Sequence, residues 1–231
     1  MNPISETKFD QKIKELIPHY TKYPEMLPFI GKSFEKMETK VILIGESHYF
    51  DDDAYEVHEW EDAKKNWYHN SSSALEKWKT NYINTRLNFH IIEVEKEFKK
   101  PHTNYWNMRS AIKDSKLALI DNEQIFQNIA YFNYFQRPSF NSGESILNSQ
   151  EDNEVAFDTF SKLINFLKPK KIIFNSAKAM DTFNWSNKGN ELNSKIYRTP
   201  HAASSWWNRE SSKTNWKTGR EYFIQILNSD I

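Results

Sequence analysis

Val41-Ile42-Leu43-Ile44-Gly45-Glu46-Ser47-His48-Tyr49-Phe50 is the stretch on which the fold turns. Four apolar residues, three of them β-branched, end at a glycine and give way to polar side chains. The run is too short for an ordinary helix and does not alternate. It suits a strand covered on both faces. The pattern recurs downstream. Asn128-Ile129-Ala130-Tyr131-Phe132 ends at Asn133, and Lys171-Ile172-Ile173-Phe174 ends at Asn175. A weaker run, Lys195-Ile196-Tyr197-Arg198, ends at Thr199-Pro200. Helical spacing separates the last three. Val155, Phe157, Phe160, Leu163, Ile164 and Leu167 predict a helix over 152–167 that Pro169 stops. Ser176 is a candidate cap for a short helix through Phe183, and residues 219–227 predict a closing helix. Such alternation predicts an α/β fold with a parallel sheet and right-handed crossovers.

The segment from Asp51 to Ser115 is too long for an ordinary crossover. It holds Trp60, Trp67, Tyr68, Trp78, Tyr82, Phe89, Tyr105 and Trp106 among many charges. It is read as an aromatic-rich helical insertion at about 51–115, packed on the sheet of a single domain spanning 1–231.

Composition narrows the function. The 231 residues contain no cysteine, which excludes disulfides, thiolate zinc sites, cysteine-ligated iron–sulfur clusters and a Cys nucleophile. Only 5 glycines argue against a Gly-rich phosphate loop. Lysine plus arginine number 31 and aspartate plus glutamate 31, so the chain is not a broadly cationic nucleic-acid binder. Met1 to Lys14 is mixed and charged, without an apolar signal core, and no run is long enough to span a bilayer. A cytoplasmic protein with no membrane partner is expected. Aromatic residues make up 15%: core packing can absorb them, or some can form a surface for stacking on bases.

In an open parallel sheet, ligands bind beyond the carboxyl ends of the strands. There the chain reads Gly45-Glu46-Ser47-His48-Tyr49, then Asn133-Tyr134-Phe135-Gln136-Arg137-Pro138, then Asn175-Ser176, then Thr199-Pro200-His201-Ala202-Ala203-Ser204-Ser205-Trp206-Trp207. A carboxylate, two amides and two histidines can converge there.

That order of motifs resembles the uracil-DNA glycosylase superfamily. Its first motif follows strand one and reads G-Q-D-P-Y-H, or G-E-A-P-G in thermophile-type members; here it is Gly45-Glu46-Ser47-His48-Tyr49. Its middle motif ends a strand on Asn, often followed by Arg-Pro, as do Asn133 and Arg137-Pro138. Its last begins H-P-S, where this chain has His201-Ala202-Ala203-Ser204. Ser47 stands where the best-known members carry a water-activating Asp, and Ala202 replaces the usual proline. Glu46 matches the carboxylate of the thermophile-type group, whose iron–sulfur cluster a chain without cysteine cannot hold. The resemblance implies a three-layer α/β/α sandwich with a short, mainly parallel four-stranded central sheet. It also implies cleavage of the N-glycosidic bond of uracil or another deaminated or modified base flipped out of DNA, without a cofactor, by a monomer.

Breaking a base–sugar bond builds positive charge on the sugar and negative charge on the base. A carboxylate orients water and offsets the first, and a histidine stabilises the second. Glu46 and His201 are therefore the expected catalytic pair. Gly45, Ser47, Tyr49, Asn133 and Asn175 are expected to line the base pocket, with Asn133 reading the base edge. Arg198, Ser204, Ser205, Trp206, Trp207 and Arg209 are expected to meet DNA. Arg198 to Arg220 carries five basic residues against Glu210 alone. Val41 to Asp62, by contrast, carries eight acids and no Lys or Arg. Two alternatives stand beside this reading. One is a non-catalytic nucleic-acid or nucleotide binder that lost its general base at Ser47. The other is a divalent-metal hydrolase using Glu46, His48, Asp51 and His58.

Overall fold

The computed structural model describes residues 4–49, 64–69, 83–98, 100–117, 124–139, 144–187 and 192–229. In chain order the elements are helices α1 (Asp10–Leu16) and α2 (His19–Lys22), strands β1 (Phe29–Ile30) and β2 (Val41–Gly45), then α3 (Thr85–His90) and α4 (Thr103–Lys113). There follow β3 (Ile129–Asn133), α5 (Gln150–Leu167), β4 (Lys171–Phe174), α6 (Ala177–Asn187) and β5 (Lys195–Arg198). The chain continues through β6 (Glu210–Ser211) and β7 (Lys217–Thr218) to α7 (Gly219–Asn228).

The four expected strands pair in parallel, in the order β3-β2-β4-β5. The expectation of four strands needs one correction. Phe29 and Ile30 add a fifth, antiparallel to β3 at the sheet edge. Two residues between Pro28 and Gly31 are too few to show a period, so the sequence pattern could not reveal it.

Successive strand side chains point to opposite faces, and each face has its own core. Ile42, Ile44, Ala130, Phe132, Ile172 and Phe174 pack with Ile13 of α1, Phe160 and Leu163 of α5 and Phe183 of α6. Val41, Leu43, Ile129, Tyr131 and Ile173 pack with Phe89 of α3, Met108 and Ile112 of α4 and Phe223 and Leu227 of α7. This explains the continuous apolar runs: neither face of β2, β3 or β4 meets water. Burying each such side chain contributes about 1.5–3 kcal/mol.

The helix ends follow local chemistry. Ser149 and Asp152 form a capping box on α5, and Thr218 and Glu221 form one on α7. Lys168 turns left-handed at φ 49° to end α5 just before Pro169. The buried Lys171 donates to the carbonyls of Ile226, Leu227 and Ser229, placing a cation at the negative end of α7.

The described parts of the expected insertion do not keep to one side of the sheet. Trp67 joins the first core, stacked on Tyr23 at 4.3 Å with its Nε1 donating to the Gln136 carbonyl. Phe89 belongs to the second core, and Tyr105 packs against it. Trp60, Trp78 and Tyr82 lie outside the described residues. Among the described residues, no helix is long and apolar enough to cross a membrane.

Candidate active site at the carboxyl ends of the strands

Strand β2 lies between β3 and β4, so the chain runs from β2 to one neighbour and returns later on the other side. This is a topological switch point, where the strand ends leave a crevice. Glu46 is the first residue beyond β2, and Ser176 follows Asn175 at the end of β4. The Ser176 hydroxyl donates to Glu46 Oε2 at 2.6 Å, bridging the two strand ends. The Ile146 amide donates to the other carboxylate oxygen at 3.1 Å.

The surroundings hold that carboxylate in place. The amides of Tyr134 and Phe135 donate to the carbonyls of Gly45 and Glu46, and that of Ser139 donates to His48. Arg137 is buried and pairs with Asp152 at 2.7 Å, and it also holds the Leu147 carbonyl. Lys178 donates to the Ile146 carbonyl. The loop supplying the Ile146 amide is therefore tied to three separate elements.

His201 follows β5. Its Nδ1 accepts from the Ala203 amide at 3.3 Å, which leaves the neutral ring's proton on Nε2. Burial lowers the imidazole pKa, while the Glu46 charge works in the opposite direction. The Tyr49 hydroxyl is pushed up to about 12, first by burial and then by Glu46, with the Ser47 hydroxyl opposing. The Glu46 charge thus opposes burial at His201 and adds to it at Tyr49.

Gly45 and Asn133 are register partners at the ends of β2 and β3. Any side chain at Gly45 would run into the Tyr131 hydroxyl and Asn133 Oδ1, so close approach demands glycine there. The Tyr131 hydroxyl donates to Asn133 Oδ1 at 2.8 Å. The Tyr105 ring lies 5.8 Å from that of Tyr131, and burial drives its hydroxyl up to about 12. Tyr131 thus holds the Asn133 amide from two residues earlier on the same strand. Its Nδ2 keeps two donors.

Ser47 and Asn175, also expected in the pocket, are buried. Asn175 is fully buried and donates to Thr199 Oγ1 at 3.0 Å, tying the ends of β4 and β5. Ser47 and His48 are also buried. Of the residues expected to meet DNA, Ser205, Trp206 and Arg209 are exposed and Ser204 is half-buried. The exposed Arg198 pairs with Asp181 at 2.9 Å. Trp207 is a correction. It is only 1% exposed and packs against Phe223 of α7, so its ring serves the core and is not free to stack on a base. Asp51 and His58 of the metal-site alternative lie outside the described residues. Among the described residues, no group of three or more His, Asp or Glu could hold a metal ion.

Sequence reasoning missed Ser176 as a partner of Glu46, although its place beside Asn175 was visible. It also missed the Ile146 amide and Tyr131. The amide has no side-chain signature, and Tyr131 read as an ordinary strand residue. No protein-family model matches the chain, and no curated protein matches it.

Proposed function

We propose that this chain is a uracil-DNA glycosylase-like hydrolase of the three-layer α/β/α type. It would cleave the N-glycosidic bond of uracil or another deaminated base in DNA, as a cytoplasmic monomer without a resident cofactor. The observation that supports the reading is the Glu46 carboxylate at the switch point, held by the Ser176 hydroxyl at 2.6 Å and the Ile146 amide at 3.1 Å, with His201 and Tyr49 within reach of its charge.

Each role has support in the arrangement of the strand ends. A carboxylate offers about four lone-pair sites; Ser176 and the Ile146 amide occupy two. The remaining sites orient a water toward the sugar carbon, and the charge offsets the cation developing there. Burial lowers the His201 pKa, and the Ala203 amide on Nδ1 leaves the neutral ring's proton on Nε2. His201 donates that N–H to the base oxygen as negative charge builds. Asn133 presents Nδ2 donors to an acceptor on the base edge, its amide oriented by Tyr131. Tyr49 limits the room beside the ring.

The test is base release from single- and double-stranded oligonucleotides carrying uracil, hypoxanthine or xanthine, read as alkali-labile breaks. Glu46→Gln and His201→Ala should each lower the rate by roughly 10²–10⁴-fold, the scale of lost acid–base or oxyanion help. Wild-type rates in both variants would sink the assignment. The internal bonds on both Glu46 oxygens favour a second reading, a nucleotide-binding relative in which Glu46 only braces the loop. That reading predicts binding without product on every substrate, and loss of stability in Glu46→Gln.

A further inference from the structure

Trp216 is the residue the fold explains least. It is 73% exposed, makes no ring contact with another described aromatic residue, and sits at φ 57° directly after Asn215 at φ 54°. A left-handed backbone strains any side chain bearing a Cβ, and a bulky one most. Glycine would relieve that strain, and a polar residue would suit the solvent better. The hairpin around it is nonetheless firmly built. Strands β6 and β7 pair Glu210 with Thr218 and Ser211 with Lys217. The Trp216 amide donates to the Ser211 carbonyl, and the buried Thr214 hydroxyl bonds both Ser211 and Lys217. A rigid support thus holds a strained, solvent-facing indole.

A second exposed indole lies on the adjoining turn. Trp206 is 53% exposed. The turn over 205–208 contacts β7, and Gly219 lets α7 begin directly against the Trp206 carbonyl. The charges between the two rings are basic. Arg209 and Lys213 are exposed and make no ion pair with a described residue, and Lys217 is also exposed, near Glu221. Glu210 is the only acid between Trp206 and Lys217.

We infer that the turn over 205–208 and the β6–β7 hairpin form a platform for single-stranded nucleic acid. Bases stack on Trp216 and Trp206, and Arg209, Lys213 and Lys217 meet the phosphates. Exposed aromatic faces with interleaved cations are what an unpaired strand needs, because every base offers a face and every linkage a charge. A duplex hides its base faces and gives the indoles nothing to stack on.

This surface rests on the proposed nucleic-acid substrate but not on its hydrolysis. Trp216→Gly is the informative variant, because it removes the ring and suits the positive φ. Its melting temperature should equal or exceed that of the wild type, while affinity for a labelled oligothymidylate, read by fluorescence anisotropy, falls about tenfold. Trp216→Phe should retain most of the affinity. Unchanged binding in Trp216→Gly, or tighter binding of a blunt duplex than of the single strand by the wild type, overturns the platform. Base release that proceeds alongside Trp216-independent binding overturns the platform and leaves the proposed activity standing. Trp216-dependent binding with no released base has the opposite meaning.

Discussion

His201 illustrates how much one charge decides at the level of a single residue. Its pKa is lowered by burial and partly restored by Glu46. Its imidazole should therefore titrate below the usual histidine range, near 6.5. In Glu46→Gln the restoring charge is gone, so the midpoint should fall further. Imidazole proton shifts followed by NMR across acid pH measure both. An unchanged midpoint in the variant would show that the two groups do not interact. Tyr131 works at the same scale without touching a ligand. Its hydroxyl donates to Asn133 Oδ1 and fixes that amide.

Among the elements, the joint between the β3–α5 loop and the start of α5 concentrates the most consequential polar contacts. Arg137 makes two short hydrogen bonds to Asp152, and both side chains are buried. Asp152 also completes the Ser149 capping box and accepts from Tyr68. Burial alone would raise the Asp152 pKa, but Arg137 and the Ser149 amide outweigh it and hold the carboxyl low. Removing only the cation leaves a buried, unpaired charge. Arg137→Met should cost about 3–5 kcal/mol in denaturant unfolding, and replacing Asp152 with Leu as well should recover much of it. The sign with pH follows from the lowered pKa. The pair's stabilisation is complete above the ordinary aspartate range and is lost as pH falls through the depressed folded value. Acid unfolding of the wild type should reflect that loss. In Arg137→Met the depression should vanish.

At the scale of the whole molecule, zero formal charge sets a limit on nucleic-acid binding. Any affinity for a phosphate backbone must come from a local surface. If Arg209, Lys213 and Lys217 are the cations engaged, the logarithm of the single-strand binding constant should fall against log salt with a slope of about −2. A slope several-fold steeper would mean that other cations carry the binding.

The sheet was legible because its strands are buried on both faces. Val41–Ile44, Ile129–Phe132 and Lys171–Phe174 need no partner to declare themselves, since unbroken apolar runs of that length suit little else. The stop of α5 before Pro169 and the Ser176 cap of α6 were legible from local residue types. The position of Glu46 and His201 at strand ends followed from the α/β rule. Beyond that, local pattern carried no information. Phe29-Ile30 becomes a strand only because β3 offers an edge. Trp206 and Trp207 are neighbours in sequence with opposite fates, because one faces solvent and the other meets Phe223. The Glu46–Ser176 bond exists because strand order sets the end of β4 beside the end of β2. Residue types and their period therefore determined most of the strands and helices and placed polar side chains at the carboxyl ends of the strands. The tertiary structure decided which polar groups meet there and which aromatic rings stay in water, because both depend on which distant segments become neighbours.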